Sequence, residues 1–429
     1  MEITLTPVEK IEGQTRIAGD KSISHRALLL SSLAENEIEI EGLIESEDTI
    51  SNLNCLKELG VEVEGDWEKL IVKGKGLRGF REPGNVLDAG KSGTTARLLT
   101  GMLAGQPFHS TLTGDVSLRN RPMEKLTRAL IQMGASISGR HNSELLPLTI
   151  RGYDLLPISY SLPVASAQVK SALMIAALYS RGTTEIVDYF NTNDHTERAL
   201  RYLGAGIEKT GKYHTIIKGS TKLKGEKFHI PGDISTAAYF IVAAALAPHG
   251  ELYLEEIGIN PSRTGILDVL GKMGAEIDVL NVREYNFEPV ADLRVKGGSN
   301  LRGIEINKGM IPHLLDEIHL LTAAAIFAEG DTVIHGGTEL GVKESVRLKS
   351  TILELEKMGA VIEELSDRLV IRGRTKLSGT RYESNGDHRI TMALATAALF
   401  AESESVITGI EAVQASSPGF FDTMKKLSS

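Results

Sequence analysis

The most informative segment of the sequence is residues 19–26, Gly-Asp-Lys-Ser-Ile-Ser-His-Arg, which lead directly into the apolar run Ala27–Leu30. A helix that begins here presents unpaired backbone N–H groups and the positive end of its dipole. Beside them Lys21 adds a point charge, Ser22 a hydroxyl group and Arg26 a planar guanidinium. These groups predict a binding site for a phosphate or a carboxylate. The alternative is a capped surface helix with solvated basic side chains.

A second segment with the same chemistry is residues 90–97, Gly-Lys-Ser-Gly-Thr-Thr-Ala-Arg, which opens another apolar helix. The bare backbone at Gly93 allows an anion to approach closely. The pair Lys91-Ser92 is similar to the end of a nucleotide-binding P-loop, but the preceding glycine, Gly84, lies one residue too far away for that motif. Kinase chemistry is therefore not expected.

Residues 74–79 match the dinucleotide-binding fingerprint Gly-x-Gly-x-x-Gly and follow a predicted strand. The fingerprint requires a helix directly afterwards, and Pro83 and Gly84 interrupt the chain where that helix must run. We therefore expect a turn at residues 74–79.

Further polar clusters lie just before apolar helices or at their first turns. Helix capping or surface ion pairing could explain any single cluster. Because the clusters occupy equivalent places in a repeated chain, we expect helix starts from both halves to meet at one cleft between two domains, which could close on several negative charges. The clusters are Arg119–Pro122, Ser166–Lys170, Asp233–Thr236, Asp316-Glu317, Lys343–Arg347 and Asp387–Arg389.

The composition, 41% hydrophobic and 24% charged over 429 residues, is typical of a globular protein that is too long for one core. We expect two large domains. The net charge of −9 argues against nucleic acid as a partner. The apolar runs are too short to span a membrane and the first residues do not form a signal sequence, so we expect a cytoplasmic protein that does not bind membranes. The single cysteine, Cys55, excludes an internal disulfide.

An internal repeat organises the chain. A helix that ends in a bulky residue, Gly and a small residue recurs about every 70 to 85 residues, and each time a strand ending in a basic residue and Gly follows. The glycine of each helix end fits the left-handed position that closes a helix. These closing glycines are Gly60, Gly134, Gly204, Gly274 and Gly359.

Six other predicted helices are rich in Ala and Leu on nearly every face, which indicates burial. The last repeat lacks a closing glycine, so we expect the amino-terminal strand to complete it. One domain then consists of both chain ends, residues 1–17 plus 232–429, and the other, residues 18–231, is inserted between them. The six helices are predicted at residues 25–34, 95–104, 168–180, 235–247, 318–328 and 388–401.

Seven ordered motifs, spread over essentially the whole chain, resemble those of the 5-enolpyruvylshikimate-3-phosphate (EPSP) synthase family of enolpyruvyl transferases. The motifs are Gly19–Ser22 with His25-Arg26, Ser92–Thr95 with Arg97, Gly114-Asp115 with Arg121–Met123, Ala165–Ser171, Pro231–Ser235, Asp316-Glu317, and Lys343–Ser345 followed by Asp387–Arg389.

The resemblance implies an α/β fold, a two-domain inside-out α/β barrel built of six βαβαββ-type repeats, three per domain. It places phosphoenolpyruvate on the side of residues 1–17 plus 232–429 and shikimate 3-phosphate on the side of residues 18–231. The implied activity is that of a 3-phosphoshikimate 1-carboxyvinyltransferase in the shikimate pathway of chorismate and aromatic amino acid biosynthesis. This enzyme adds phosphoenolpyruvate to the 5-hydroxyl of shikimate 3-phosphate and then eliminates phosphate. No cofactor or metal is expected, the partners are the two substrates, and we expect a monomer.

The resemblance also implies roles for individual residues. Asp316 would take the hydroxyl proton, and Glu344 with Lys21 would manage protons at the enolpyruvyl carbon. A carboxylate among cations has its charged form favoured, so Asp316 should act as a base at neutral pH. The implied phosphoenolpyruvate-binding residues are Lys21, Gly93, Arg121, Gln168, Arg347 and Arg389. The implied shikimate 3-phosphate-binding residues are Lys21, Ser22, Arg26, Ser166, Ala167, Gln168, Asp316 and Lys343.

The chain departs from the family pattern at several positions, among them Thr192-Asn193 where Ser-Arg is expected. Losing the Arg expected at position 193 weakens the grip on the shikimate phosphate, and Lys91 could either replace that charge or intrude on the pyruvyl site. The departures are Lys91 for Asn, Asn193 for Arg, His319 for Pro, Gly341 for Arg and Val346 for Asp.

Two other functions stay open at this point. The related transferase that acts on UDP-N-acetylglucosamine usually has Lys-Asn where this chain has Lys21-Ser22, and its reactive loop cysteine has no counterpart because Cys55 lies in a predicted helix. A paralogue with a different acceptor or weakened catalysis is the second alternative, suggested by Lys91, Asn193 and Val346.

Overall fold

The computed structural model describes residues 1–336 and 342–429, and the side chains of Val342 and Lys343 lie outside the described part. The chain divides into two compact units. The short segment Glu284–Glu288, which belongs to unit 2, was not part of the predicted division. Unit 1 comprises Met1–Ala18, Pro231–Arg283 and Pro289–Ser429, and unit 2 comprises Gly19–Ile230 and Glu284–Glu288.

The strands are short, and most have two to five residues. The strands of the described residues are β1 (Glu2–Leu5), β2 (Gly13–Arg16), β3 (Glu37–Glu41), β4 (Glu62–Gly65), β5 (Lys69–Lys73), β6 (Leu87–Asp88), β7 (His109–Thr113), β8 (Ser136–Gly139), β9 (Leu145–Arg151), β10 (Ser159–Ser161), β11 (Thr183–Val187), β12 (Ile207–Thr210), β13 (His214–Lys218), β14 (Lys227–His229), β15 (Glu251–Gly258), β16 (Glu276–Tyr285), β17 (Glu288–Lys296), β18 (Glu305–Ile306), β19 (Thr332–His335), β20 (Ile362–Glu364), β21 (Arg368–Ile371), β22 (Arg381–Glu383) and β23 (Ser405–Thr408).

Helices connect most of these strands. They are α1 (Lys21–Ser32), α2 (Glu47–Glu58), α3 (Gly93–Leu103), α4 (Val116–Arg119), α5 (Glu124–Gln132), α6 (Arg140–Ser143), α7 (Ala167–Ala177), α8 (His195–Tyr202), α9 (Ile234–Leu246), α10 (Gly265–Met273), α11 (Ile318–Ala325), α12 (Val342–Lys357), α13 (His388–Ala398), α14 (Glu411–Ser416) and α15 (Phe420–Leu427), with a 3-10 helix at Lys308–His313.

One sheet design recurs through the described residues. Each unit holds three sheets, and five of the six sheets have four strands. In the sheet of β6 to β9, β6 pairs in parallel with β7, and β9 pairs antiparallel with both β7 and β8. The sheets that begin with β10, β14 and β18 follow the same pattern. The predicted α/β fold of six repeats, three in each unit, is confirmed.

The sixth sheet is completed by the amino terminus. Strand β1 pairs antiparallel with β23, from Glu2 opposite Thr408 to Leu5 opposite Ser405. Strand β22 pairs in parallel with the other edge of β23. The prediction that the first strand completes the last repeat is therefore confirmed.

The closing glycines explain why each repeat turns sharply from helix to strand. Gly60, Gly134, Gly204, Gly274 and Gly359 all have a positive φ, between 82° and 101°. A side chain at such a position would be strained, whereas glycine adopts it at no steric cost. The predicted left-handed helix ends are confirmed at all five positions.

The Ala- and Leu-rich helices form the cores of the two units. Helix α3 packs against α7 in unit 2, and α13 packs against α9 and α11 in unit 1. All eight residues of α11 are buried. The predicted burial of these helices is confirmed, and their polar first turns carry the candidate site residues.

The dinucleotide-like segment is a turn. Gly76 has φ 65°, and the next element after β5 is the strand β6, so no helix follows the glycines. Throughout the described residues, helices that combine the length and the apolar character needed to cross a bilayer are absent.

Candidate active-site residues

Three helices of unit 2 begin at the candidate clusters, and a side chain caps each of them. The side chains of Asp20, Ser92 and Ser166 each accept a hydrogen bond from the backbone N–H three residues further on, at 2.8, 3.1 and 3.3 Å. A capped helix start is rigid, and its positive dipole end favours a bound anion.

Lys21 lies at the first position of α1. Its Nζ is 3.2 Å from Oδ2 of Asp48 on α2, and its side chain is 25% exposed. Ser22 beside it is half-buried. The ammonium group of Lys21 is thus held in place while part of it stays accessible to a ligand.

Arg26 is buried and connects three helices. Its Nε donates to Oγ1 of Thr196 on α8 at 2.7 Å, and its Nη2 donates to Oγ of Ser171 on α7 at 2.9 Å. Its Nη1 donates to the carbonyl oxygen of Ser22 at 2.8 Å. With 2% of its surface exposed, Arg26 fixes the start of α1 against α7 and α8.

Gly93, Arg121 and Gln168 come together around Arg97. Nη1 of Arg97 donates to the Gly93 carbonyl at 3.2 Å and to Oε1 of Gln168 at 3.0 Å. A Cβ atom at Gly93 would lie 2.7 Å from Nη1 of Arg97 and 3.6 Å from Nη1 of Arg121. Gln168 also donates to Oγ1 of Thr94 at 2.9 Å. Unit 2 therefore presents two guanidinium groups beside a bare helix start.

Arg97 keeps its charge in this cluster. Burial and the neighbouring cation of Arg121 lower the pKa of Arg97 to about 10. This value is still well above neutral pH, so Arg97 remains a cation. Ser166 and Ala167, which precede Gln168, are half-buried at the start of α7.

The departures at Lys91 and Asn193 have distinct surroundings. Nζ of Lys91 lies 3.4 Å from Oε2 of Glu47, and both side chains are more than half exposed, so this ion pair is weak. Oδ1 of Asn193 is buried and has no hydrogen-bond partner among the described residues.

Lys170, the basic residue of the motif around Gln168, is buried in an ion-pair cluster. Its Nζ lies 3.1 Å from Oδ2 of Asp188 and 2.8 Å from Oε1 of Glu197. Burial alone lowers the pKa of Lys170, but the two carboxylates outweigh it and raise the pKa. Lys170 therefore has a structural role, and this role accounts for part of that motif.

In unit 1, Asp316 precedes α11 and is held by Arg389 of α13. Nη1 of Arg389 lies 2.8 Å from Oδ1 of Asp316 and donates to its carbonyl oxygen at 2.6 Å. Burial lowers the pKa of Arg389, but Asp316 and other negative groups outweigh burial and raise it. The side chain of Asp316 is 43% exposed, so this carboxylate combines a fixed position with access to a substrate.

Arg347 of α12 lies beside the start of α13. It is 4% exposed, and its Nε and Nη2 donate to Oδ2 of Asp387 at 3.0 and 2.8 Å. The other carboxylate oxygen of Asp387 accepts from the backbone N–H of Arg389 at 2.9 Å. Arg347 and Arg389 are therefore brought to the same helix start, as a shared anion site requires.

The first turn of α12 carries the remaining candidates. Glu344 is half-buried, and Val346, which departs from the family pattern, is 60% exposed. The side chain of Lys343 and the whole of Gly341 lie outside the described residues.

Comparison with known proteins identifies the family. Residues 5–424 match the family model for EPSP synthase (3-phosphoshikimate 1-carboxyvinyltransferase). The chain belongs to the EPSP synthase family.

Relatives of the family are similar to this chain over its full length. The 3-phosphoshikimate 1-carboxyvinyltransferase of Desulforamulus reducens is 47% identical over 429 residues, covering 100% of this chain and 99% of the relative. That of Pelotomaculum thermopropionicum is 48% identical over 428 residues with the same coverage. The solved structure of EPSP synthase from Acinetobacter baumannii superposes with a TM-score of 0.92 at 37% identity, covering 100% of this chain and 98% of that one. The resemblance identified from the motifs is confirmed.

The structure of this EPSP synthase family member also shows the surroundings of polar residues to which the sequence assigned no role. Glu317 is 2% exposed, and burial together with the charge of Asp316 raises the pKa of Glu317 to about 7. The hydroxyl group of Ser235 donates to Oε1 of Glu317. The Asp-Glu motif was visible in the sequence, but nothing in it indicated which carboxyl group is buried.

His319, another departure from the family pattern, is fully buried behind the two arginines. Its Nε2 lies 2.8 Å from Oη of Tyr239 on α9. Burial and the charges of Arg347 and Arg389 hold the pKa of His319 well below its usual value. His319 is therefore a neutral core residue. In the sequence, the apolar character of α11 on all faces indicated that His319 is buried.

Proposed function

We propose that this chain transfers the enolpyruvyl group of phosphoenolpyruvate to the 5-hydroxyl of shikimate 3-phosphate and releases inorganic phosphate. The observation that carries the proposal is the match of residues 5–424 to the EPSP synthase family, with relatives 47% and 48% identical over the whole chain. Phosphorylated substrates need cationic groups of the kind described above.

Phosphoenolpyruvate carries a carboxylate and a phosphate, so it requires several cations. We assign Lys21, Arg121, Arg347 and Arg389 to this substrate, with Gly93 and Gln168 as further contacts. Support comes from the guanidinium group of Arg347, which is 4% exposed, and from that of Arg389, whose pKa Asp316 and other negative groups raise, so that Arg389 stays charged at any physiological pH. Nη1 of Arg347 makes no hydrogen bond to the described residues, so it can donate to a ligand without breaking the pair with Asp387.

Shikimate 3-phosphate is assigned to Lys21, Ser22, Ser166, Ala167, Gln168, Asp316 and Lys343, with Arg26 as a supporting residue. Arg26 is 2% exposed and donates to the Ser22 carbonyl at 2.8 Å, which supports a role in orienting Ser22. The dipoles of α1 and α7 add partial positive charge near these residues.

The reaction needs three proton movements. The hydroxyl proton of shikimate 3-phosphate passes to Asp316 as the oxygen bonds to the central carbon of phosphoenolpyruvate. Lys21 or Glu344 gives a proton to the methylene carbon, which yields the tetrahedral intermediate. The same pair then removes a proton from the new methyl group while the C–O bond to phosphate breaks. The surrounding cations stabilise the leaving phosphate.

The proposal is tested by measuring phosphate release from phosphoenolpyruvate with three acceptors. Phosphate should be released with shikimate 3-phosphate and not with UDP-N-acetylglucosamine, and shikimate should react far more slowly because it lacks the phosphate that the cations bind. Binding of both substrates without turnover would instead indicate a paralogue with weakened catalysis. Release with the nucleotide sugar alone would assign the other transferase activity.

A further inference from the structure

Asp316 and Glu317 are adjacent carboxyl groups in opposite environments. The Asp316 side chain is 43% exposed and pairs with Arg389 at 2.8 Å. Glu317 is 2% exposed, and its Oε1 accepts a hydrogen bond from the Ser235 hydroxyl. Two adjacent carboxyl groups whose surroundings differ this much can take different parts in proton transfer.

Ser235 and Arg263 connect the two carboxyl groups. Nη2 of Arg263 donates to Oγ of Ser235 at 2.6 Å, and the same nitrogen lies 4.0 Å from Oδ2 of Asp316. Arg263 is 7% exposed. A change of charge on Glu317 therefore acts on a cation that also faces Asp316.

The charged and titratable groups around Glu317 come from every helix packed against α11. Burial and the charge of Asp316 favour the protonated form of Glu317 and raise its pKa to about 7, while Arg263, Arg389 and the Ser235 hydroxyl favour the ionised form. Glu317 therefore changes charge within the neutral pH range. The described groups that act on Glu317 are Asp316, Ser235 and Tyr239 of α9, Arg263 before α10 and Arg389 of α13. The charged and titratable groups next to these are His319 of α11 and Arg347 of α12 with its partner Asp387.

We propose that Glu317 is a positioning residue for Asp316, and that gain or loss of the Glu317 proton controls how readily Asp316 accepts the proton of the substrate hydroxyl. The inference rests on the role proposed above for Asp316. No substrate bond changes at Glu317, since its proton passes only to and from solvent. When Glu317 ionises, a second negative charge lies beside Asp316, and Asp316 then holds an accepted proton more tightly.

The test compares kcat/KM of Glu317→Gln with that of the wild type between about pH 5.5 and 9. The glutamine mimics the protonated form at every pH, so the variant should match the wild type below about pH 6 and fall roughly three- to tenfold behind it above about pH 8. The ratio of the two profiles cancels the titration of the substrate phosphates, which is common to both proteins. A ratio that does not change with pH overturns the proposal.

Two further variants sharpen this test. Ser235→Ala removes a hydrogen bond that favours the ionised form of Glu317. The change of kcat/KM that accompanies ionisation of Glu317 should therefore occur about one pH unit higher in this variant. Glu354→Gln is the matched control, because Glu354 is also a buried carboxyl group of unit 1, 5% exposed, but pairs with Lys357 at the far end of α12. The ratio of kcat/KM of Glu354→Gln to that of the wild type should stay constant with pH. If the kcat/KM ratio of Glu354→Gln changed with pH as much as that of Glu317→Gln, the positioning role of Glu317 would be overturned.

An infrared titration tests Glu317 without turnover. The C=O band of a protonated carboxyl group should disappear near neutral pH in the wild type and should be missing from Glu317→Gln. A wild type that shows no such band overturns the proposal. This measurement separates the proposed transferase activity from the proposed titration of Glu317. A protein that releases no phosphate with shikimate 3-phosphate would contradict the activity, while the infrared band would still report on Glu317.

Discussion

Arg347 binds the carboxylate of Asp387 through two nitrogens, and the same carboxylate caps helix α13 two residues before Arg389. The charge of Arg347 and the backbone N–H of Arg389 outweigh burial and hold the pKa of Asp387 far below its usual range. The carboxylate thus stabilises the helix start and fixes a neighbouring arginine that we assign to phosphoenolpyruvate at the same time.

Asp387→Asn should lower the free energy of unfolding by about 2 kcal/mol at neutral pH, since it removes a capping charge and leaves Arg347 without its partner. The pKa of Asp387 is lower in the folded than in the unfolded protein, so its stabilisation is complete above about pH 4 to 5 and is lost as the pH falls further. Urea unfolding at a series of pH values should therefore show a difference from the wild type that shrinks below about pH 4.

The matched control for this prediction is Asp422→Asn, because Asp422 lies exposed in the first turn of α15. It should change the stability by less than about 0.5 kcal/mol. A difference between Asp387→Asn and the wild type that stays constant down to about pH 3 would show that the carboxylate charge is not responsible.

Lys21→Met should reduce kcat/KM at least about a thousandfold, because it removes both a cation from the substrate phosphates and a proton donor. The fold should survive, since the ion pair with Asp48 is one-quarter exposed and contributes little. Steady-state phosphate release and a thermal melt measure the two effects. Lys57→Met, on the exposed end of α2, is the control and should keep full activity. A wild-type rate in Lys21→Met would remove Lys21 from the mechanism.

Asp316→Asn should lower kcat by about a hundredfold or more while KM for either substrate changes less than about threefold. An asparagine of the same shape keeps a hydrogen bond with Arg389 but cannot accept the hydroxyl proton. Initial rates with each substrate varied in turn provide both constants. Asp331→Asn, at an exposed ion pair with Arg372, is the control in the same unit. Equal losses in KM and kcat would make Asp316 a ligand-binding group and not a base.

Cys55 should resist thiol reagents in the folded protein. It is 2% exposed in α2, and burial raises the pKa of its thiol to about 12, so the reactive thiolate is scarce at neutral pH. A disulfide-exchange reagent at about pH 8 should label less than a tenth of the protein in the time that labels free cysteine completely. After denaturation one thiol per chain should react. Fast labelling of the native protein would contradict the buried position.

Local features of the sequence were sufficient to predict the repeat architecture. Gly134 and Gly274 require the left-handed conformation whatever surrounds them, so the helix ends could be placed from the sequence. Helix α9 is apolar on every face and had to be buried. The candidate residues Gly93 and Gln168 lie at capped helix starts of one unit, with Arg121 close to Gly93, and their proposed role in binding stays a prediction.

Features that depend on contacts between distant segments could not be predicted in this way. The sequence places Asp316 and Glu317 side by side, and only the packing of α9 and α13 decides that Glu317 is the buried one. Arg26 was expected to help position shikimate 3-phosphate, and the sequence could not show that two of its nitrogens donate to α7 and α8, which follow it by more than 140 residues. Arg97 was part of a recognised motif, but only the three-dimensional structure shows that it donates hydrogen bonds to both Gly93 and Gln168.

The pairing of β1 with β23 has a consequence for biosynthesis. Residues 2–5 are made long before residues 405–408, their partners. Unit 2, which is almost one continuous stretch of chain, can assemble its three sheets during translation, while β1 waits with an unpaired edge. Closing a loop of this length is slow, so β1 finds its neighbour late in folding although it is translated long before β23.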